Sequence, residues 1–147
     1  MKLFGILGDS RISRSLSPKI HNAVLRKYCI DGAYIPIGVE EKQLKEVLSG
    51  IKAMNVKGLN VTAPHKQSII PYLDELSTDA KAIGAVNTIE QRGELFIGHN
   101  TDIKGFSNAV AETGFHIRNS KAIVFGAGGA ARAIVYALLQ GHASEVW

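Results

Sequence analysis

KAIVFGAGGAARAIVYALLQ, Lys121 to Gln140, sets an apolar run, a glycine-rich turn and a helical pattern in immediate succession. Ala122–Phe125 has the character of a short buried strand, and apolar residues recur at helical spacing from Gly129 to Gln140. Between them, Gly126, Ala127, Gly128, Gly129 and Ala130 form a turn without a bulky side chain. A strand, a tight turn and a helix make the repeating unit of α/β folds. In that setting G-x-G-x-x-A, with Gly126, Gly128 and Ala131 at the small positions, has the shape of a dinucleotide-binding turn. The first glycine permits the turn, and the second lets the backbone approach a pyrophosphate. The helix N-terminus offers unpaired N–H groups to that anion. Residues 126–130 are therefore the candidate cofactor-binding residues.

The same alternation extends upstream. Lys2–Leu7 reads as a strand closed by Gly8-Asp9-Ser10, and Ser17-Pro18 opens a helix with serine as N-cap and proline at the first helical position. Ala33–Val39 and Val56–Val61 read as strands on either side of a helix from Glu40 to Gly50. A short helix is expected at Ser68–Leu73, and a second one, capped by Ser77, ends at Gly84. Val86–Gln91 and Leu95–Gly98 read as strands joined by a turn at Arg92-Gly93, and Thr101–Thr113 as a helix. The rhythm predicts an α/β fold, a mostly parallel sheet flanked by helices, followed by the start of a Rossmann-type domain. The boundary falls near residue 115, giving an α/β domain over 1–114 and an incomplete dinucleotide-binding unit over 115–147. That second unit is too short to bury a sheet of its own, so the chain is expected to be part of a longer one.

Composition narrows the function. Of 147 residues, 46% are hydrophobic and 20% charged, as in ordinary soluble globular proteins. Seventeen Lys and Arg against 13 Asp and Glu give a net charge of +4. The basic residues are scattered as singles, which disfavours nucleic acid and suits small anions. One cysteine, Cys29, cannot form an internal disulfide, and neither it nor the five histidines show metal-ligand spacing. No apolar run approaches the ~18 residues of a membrane span. A cytoplasmic protein without metal, membrane or nucleic-acid partner is the expectation.

Four motifs carry polar groups beyond the needs of folding. In SRSLSP, Ser15 and Ser17 flank Leu16 beside a helix N-terminus, where a carboxylate would receive hydroxyl and backbone hydrogen bonds. Ser17 alone is equally well explained as a cap. In NVTAPHK, Asn60, Thr62 and Lys66 gather at a strand-to-helix turn. A cation at a helix start is disfavoured by the dipole, so capping does not explain Lys66. An ammonium beside a carbonyl can donate a proton or stabilise a developing alkoxide. GAVNT leaves Asn87 in an apolar strand start, which asks for a specific hydrogen-bonding partner. GHNTDIKGF puts Asp102 behind Asn100 and Thr101, either of which can cap the helix. Asp102 is equally a favourable first-turn acid.

Taken in order, SRSLSPKIHN, AYIPIGVE, GLNVTAPHK, IGAVNT, GHNTDIKGF and VFGAGGAARA resemble the shikimate dehydrogenases over nearly the whole chain. The resemblance implies reversible, NADP-dependent reduction of 3-dehydroshikimate to shikimate, in aromatic amino-acid biosynthesis. It implies carboxylate binding by Ser15 and Ser17, and hydroxyl binding by Asn60, Thr62, Asn87 and Asp102. It also implies Lys66 and Asp102 as the catalytic pair, with Lys66 donating to the carbonyl oxygen and Asp102 orienting it. The sequence departs from the family at Arg11 and Arg14, in the loop leading to Ser15. The family's NADP-reading basic loop and C-terminal helix have no counterpart before Trp147. The 147-residue chain is thus expected to be inactive alone, and the apolar face of helix 129–140 invites pairing with a second copy. Two alternatives share the motifs: a quinate/shikimate dehydrogenase paralogue using NAD, and a non-catalytic metabolite-sensing domain. The intact Lys66 and Asp102 argue against the sensor.

Overall fold

The structure, a computed structural model, describes all 147 residues from Met1 to Trp147. Strand β1, Lys2–Gly8, is the apolar N-terminal run. It pairs in parallel with β2, Gly32–Gly38, and with β3, Gly58–Val61. The crossover elements are α1, Ser17–Lys27, and α2, Leu44–Ala53. The hairpin β5, Thr88–Arg92, and β6, Leu95–His99, joins β3 in antiparallel fashion. A two-residue strand β4, Glu75–Leu76, pairs in parallel with β6 at the edge. The sheet order is β2-β1-β3-β5-β6-β4, with three parallel and two antiparallel pairings. The sheet is mostly parallel, as the sequence predicts, with an antiparallel hairpin as its exception.

Helix α3, His65–Ser68, is shorter than the helix expected at 68–73 and starts earlier. Pro71 divides the segment, and Ile70–Tyr72 continues as a 3₁₀ turn. Helix α4, Thr78–Ile83, is capped by the Ser77 hydroxyl, which accepts from Ala80 N at 3.2 Å, and it ends at Gly84 in the left-handed conformation. Helix α5 spans Asp102–Glu112. A second, two-stranded parallel sheet joins β7, Lys121–Ala122, to β8, Glu145–Val146, around α6, Gly129–Gln140. β7 is shorter than the strand expected at 122–125, because β8 supplies only two paired residues and Phe125 is 94% exposed.

Each face of the large sheet buries its own core. Leu7, Leu59, Val61 and Ile89 pack under α2 through Leu44, Leu48 and Ile51. Burying a side chain such as Leu44, which has no exposed surface, contributes roughly 1.5–3 kcal/mol. On the opposite face Ile6 and Tyr34 meet Ile12 and Leu25 of the α1 side. Ile83, Ala85 and Ala133, with Ile103 and Tyr136, seat α6 against α4 and α5. The start of α6 is thereby brought against Lys66 and Ala85, within 3.3 Å of a Cβ built on Gly129.

Candidate active site

Strands β1 and β3 end side by side, since Leu7 pairs with Val61 and Thr62 N donates to Leu7 O at 2.9 Å. Gly8 makes the next step possible: a Cβ there would lie 2.8 Å from Ile12 and 2.9 Å from Thr62. Without it, the 3₁₀ turn Ser10–Arg14 folds onto the end of β3. Asp9 caps that turn by accepting from Arg11 N at 3.0 Å, and its carboxylate pairs with the Arg11 guanidinium at 2.6 Å. Hydrogen bonding to Arg11 holds the Asp9 carboxyl below the usual carboxylate range. Arg11 is thus occupied, and a cavity of about 400 Å³ opens among Arg14, Ser15, Ser17 and Thr62.

The two serines divide their roles differently from the expectation. Ser17 is not the N-cap of α1 but its first helical residue. Ser15 Oγ accepts from Ser17 N at 3.2 Å, so Ser15 supplies the local hydrogen bond and the Ser17 hydroxyl caps nothing. Pro18, at the second helical position, sits where its missing N–H costs no helix bond.

Lys66 and Asp102 meet across 36 residues of chain: Lys66 Nζ donates to Asp102 Oδ2 at 2.7 Å. Their side chains are 19% and 30% exposed, so the pair is half-buried with one side open. Both partners are held. His65, 1% exposed, bonds Val39 O through Nε2 at 2.9 Å and anchors α3 to the end of β2. With a carbonyl as partner, that nitrogen carries the proton. Lys66 O accepts from Val86 N at 2.7 Å. Asp102 N donates to Asn100 Oδ1 at 2.9 Å, while Asn100 Nδ2 donates to Ala85 O at 3.0 Å. Thr101 is thus the N-cap residue of α5 but makes no side-chain cap bond, and Asn100, one residue earlier, accepts from the first helical N–H instead.

Asn87 lies between these parts. Its Nδ2 donates to Asp102 Oδ1 at 2.8 Å and to Thr101 Oγ1 at 2.9 Å, and its Oδ1 accepts from Thr101 N at 3.0 Å. The polar partner that an asparagine in an apolar run requires is thus Asp102 and its loop. The Thr88 hydroxyl donates to Asn87 Oδ1 at 3.0 Å and accepts from Asn60 Nδ2 at 3.3 Å. Asn60 Oδ1 accepts from the Tyr34 hydroxyl at 2.6 Å. One network thus runs Tyr34–Asn60–Thr88–Asn87–Asp102–Lys66. Burial pushes the Tyr34 phenol up to about 12, so it remains a donor.

Sequence reasoning missed Tyr34, His65 and Thr88 and offered Asn100 only as a helix cap. Tyr34 reads as one more apolar strand residue, stacked on His21 with ring centroids 4.2 Å apart.

The glycine turn borders the same lip. Gly126 has φ +124°, a conformation that excludes other residues, and a Cβ on Gly128 would meet nothing within 4 Å. Gly128 begins α6 with no side-chain cap. The first turn of the helix therefore has no side-chain cap for its N–H groups. These features fit a phosphate. No cluster of three His, Cys, Asp or Glu is arranged to hold a metal, and no helix is long and apolar enough to cross a membrane.

Comparison with known proteins gives the family and the fold. Residues 6–89 match the family model described as the shikimate dehydrogenase substrate binding domain. The NADP(+) shikimate dehydrogenase of Carboxydothermus hydrogenoformans is 45% identical over 146 residues, covering 99% of this chain and 51% of that protein. That of Bacillus subtilis is 45% identical over 134 residues, covering 90% and 48%. The crystal structure of shikimate dehydrogenase from Aquifex aeolicus superposes with a TM-score of 0.94 at 38% identity, covering 100% of this chain and 55% of that one. The Thermus thermophilus enzyme in complex with NADP(H) and shikimate gives 0.90 at 33% identity, covering 100% and 56%. The chain spans about half the length of the curated relatives it matches.

Proposed function

Because the chain belongs to the family of shikimate dehydrogenase substrate-binding domains, we propose that it binds shikimate and 3-dehydroshikimate and serves their NADP-dependent interconversion. Residues 1–114 form the substrate domain, and 115–147 begin the dinucleotide-binding domain of a longer enzyme. The observation that carries the reading is the Lys66–Asp102 contact at 2.7 Å, open on one side and joined to Asn87.

Substrate and product are small carboxylates with neighbouring ring oxygens. The Ser17 hydroxyl and the N-terminus of α1 take the carboxylate, with Ser15 holding the turn and also facing the cavity. Thr62, Asn60, Asn87 and Asp102 bind ring hydroxyls. The Lys66 ammonium donates to the carbonyl oxygen and delivers the proton that completes the new hydroxyl, returning to charge balance from solvent through its open side. Asp102 orients that ammonium, and Asn87 and Asn100 orient Asp102. When bound, NADPH would supply the hydride for reduction and NADP⁺ would accept it in the reverse direction, with residues 126–130 holding the pyrophosphate.

Calorimetric titration of the chain with shikimate tests the substrate half of this reading. Binding is expected, weakened by Ser17→Ala and by methyl esterification of the ligand; binding indifferent to the carboxylate would overturn it. Lys66→Ala leaves that affinity nearly unchanged but lowers turnover roughly 10²–10⁴-fold in the longer enzyme. The face of α6 that the sequence offered to a second copy is largely buried within the chain, through Ala133, Ala137 and Leu138.

A further inference from the structure

The start of α6 touches Lys66 itself. A Cβ built on Gly129 would lie 3.3 Å from both Cβ and Cδ of Lys66, and 3.1 Å from Ala85 Cβ. Those approaches are closer than ordinary carbon–carbon contact at roughly 3.5–4.0 Å. The neighbours differ in how far they can yield. Ala85 has no exposed surface, and its carbonyl is held by Asn100 Nδ2 at 3.0 Å. Lys66 is fixed at its backbone by Val86 N at 2.7 Å, so only its aliphatic stem can move. Gly128, one residue earlier, faces open space and has φ −74°, which any residue adopts.

We propose that Gly129 is a positioning residue for Lys66. The bare backbone at the first turn of α6 forms one wall of the slot that holds the lysine stem, so that its ammonium points at Asp102. The dinucleotide turn therefore sets the direction of the proton donor as well as the seat of a phosphate. The turn and the ammonium are registered by direct packing of the start of α6 against Lys66 of α3. This inference rests on the proposed role of Lys66, but its geometry can be tested apart from that role.

The test uses the 147-residue chain and the Hε–Cε NMR correlation of Lys66, assigned by its disappearance in Lys66→Arg. Gly129→Ala is expected to move that correlation and to shift the side-chain amide signal of Asn87, which bonds Asp102. Gly128→Ala is expected to leave both in place, and thermal melts establish that each variant is folded. Removing the Ala85 methyl that the new Cβ also meets, with Ala85→Gly in the Gly129→Ala background, lets that Cβ yield away from the lysine and returns the Lys66 signal toward its original position. A Lys66 signal unmoved by folded Gly129→Ala, or moved equally by Gly128→Ala, overturns the proposal. Full turnover of Lys66→Ala in the longer enzyme would instead overturn the catalytic role and leave this packing relation intact.

Discussion

Breaking the Lys66–Asp102 pair from each side and then from both measures whether the two segments cooperate as the geometry requires. Asp102→Asn keeps the shape, but an amide can present its oxygen to only one of two donors, Lys66 Nζ and Asn87 Nδ2. The other donor then faces an NH₂ group. Lys66→Met keeps the stem and removes the ammonium. An exposed ion pair contributes about 0–1 kcal/mol, and a charge-assisted hydrogen bond in a protected site about 1.5–3 kcal/mol. Side-chain exposures of 19% and 30% put this pair between those limits. A coupling of about 1–2 kcal/mol is expected on that basis. For a chain of this size, ~1 kcal/mol corresponds to about 2–4 °C in Tm, so Asp102→Asn is expected to melt lower by roughly 2–8 °C. The assay is a double-mutant cycle by urea denaturation at low and high salt. Coupling should persist at high salt, since a half-buried pair is screened less than a surface one. Single-variant effects that add within about 0.3–0.5 kcal/mol would refute the pairing.

Two other predictions concern the scaffold. Gly98→Ala would bring a Cβ within 2.7 Å of Leu73, 2.8 Å of Leu76 and 2.8 Å of Val86, and should lower stability by about 1–3 kcal/mol in denaturant titration. A Tyr34 phenol raised to about 12 means that the folded chain retains a proton which the unfolded chain releases near pH 10. Stability from this group is present below about pH 10 and is lost as pH rises toward 12. Tyr34→Phe should flatten that part of the profile in pH-dependent melting.

The sequence made the parallel portion of the sheet legible because Lys2–Leu7 and the strand before Asn60 are apolar runs bounded by turn residues. It could not show β4, since two residues carry no periodicity, and the strand exists because its neighbours Asp74 and Ser77 are tied to β6. The swap of roles between Ser15 and Ser17 was hidden for a similar reason: both serines suit a cap, and only the extended backbone at Ser15 decides which hydroxyl reaches the helix. Lys66 stood out because its charge opposes the helix dipole. Asp102 did not stand out in the same way, because a first-turn acid is favourable in any helix. Their meeting depends on the β5–β6 hairpin, which carries Asn87 and Asn100 to the same end of the sheet. Gly129 read only as part of a phosphate turn, since its contact with Lys66 arises from packing of α6 against Ala85.

An amide NMR titration of the 147-residue chain with shikimate tests the central claim most directly. Resonances of Ser15, Ser17, Thr62, Lys66, Asn87 and Asp102 are expected to move together and saturate at one common affinity. Saturable shifts confined to the opposite, α2-covered face, or no shifts at millimolar ligand, would contradict the account.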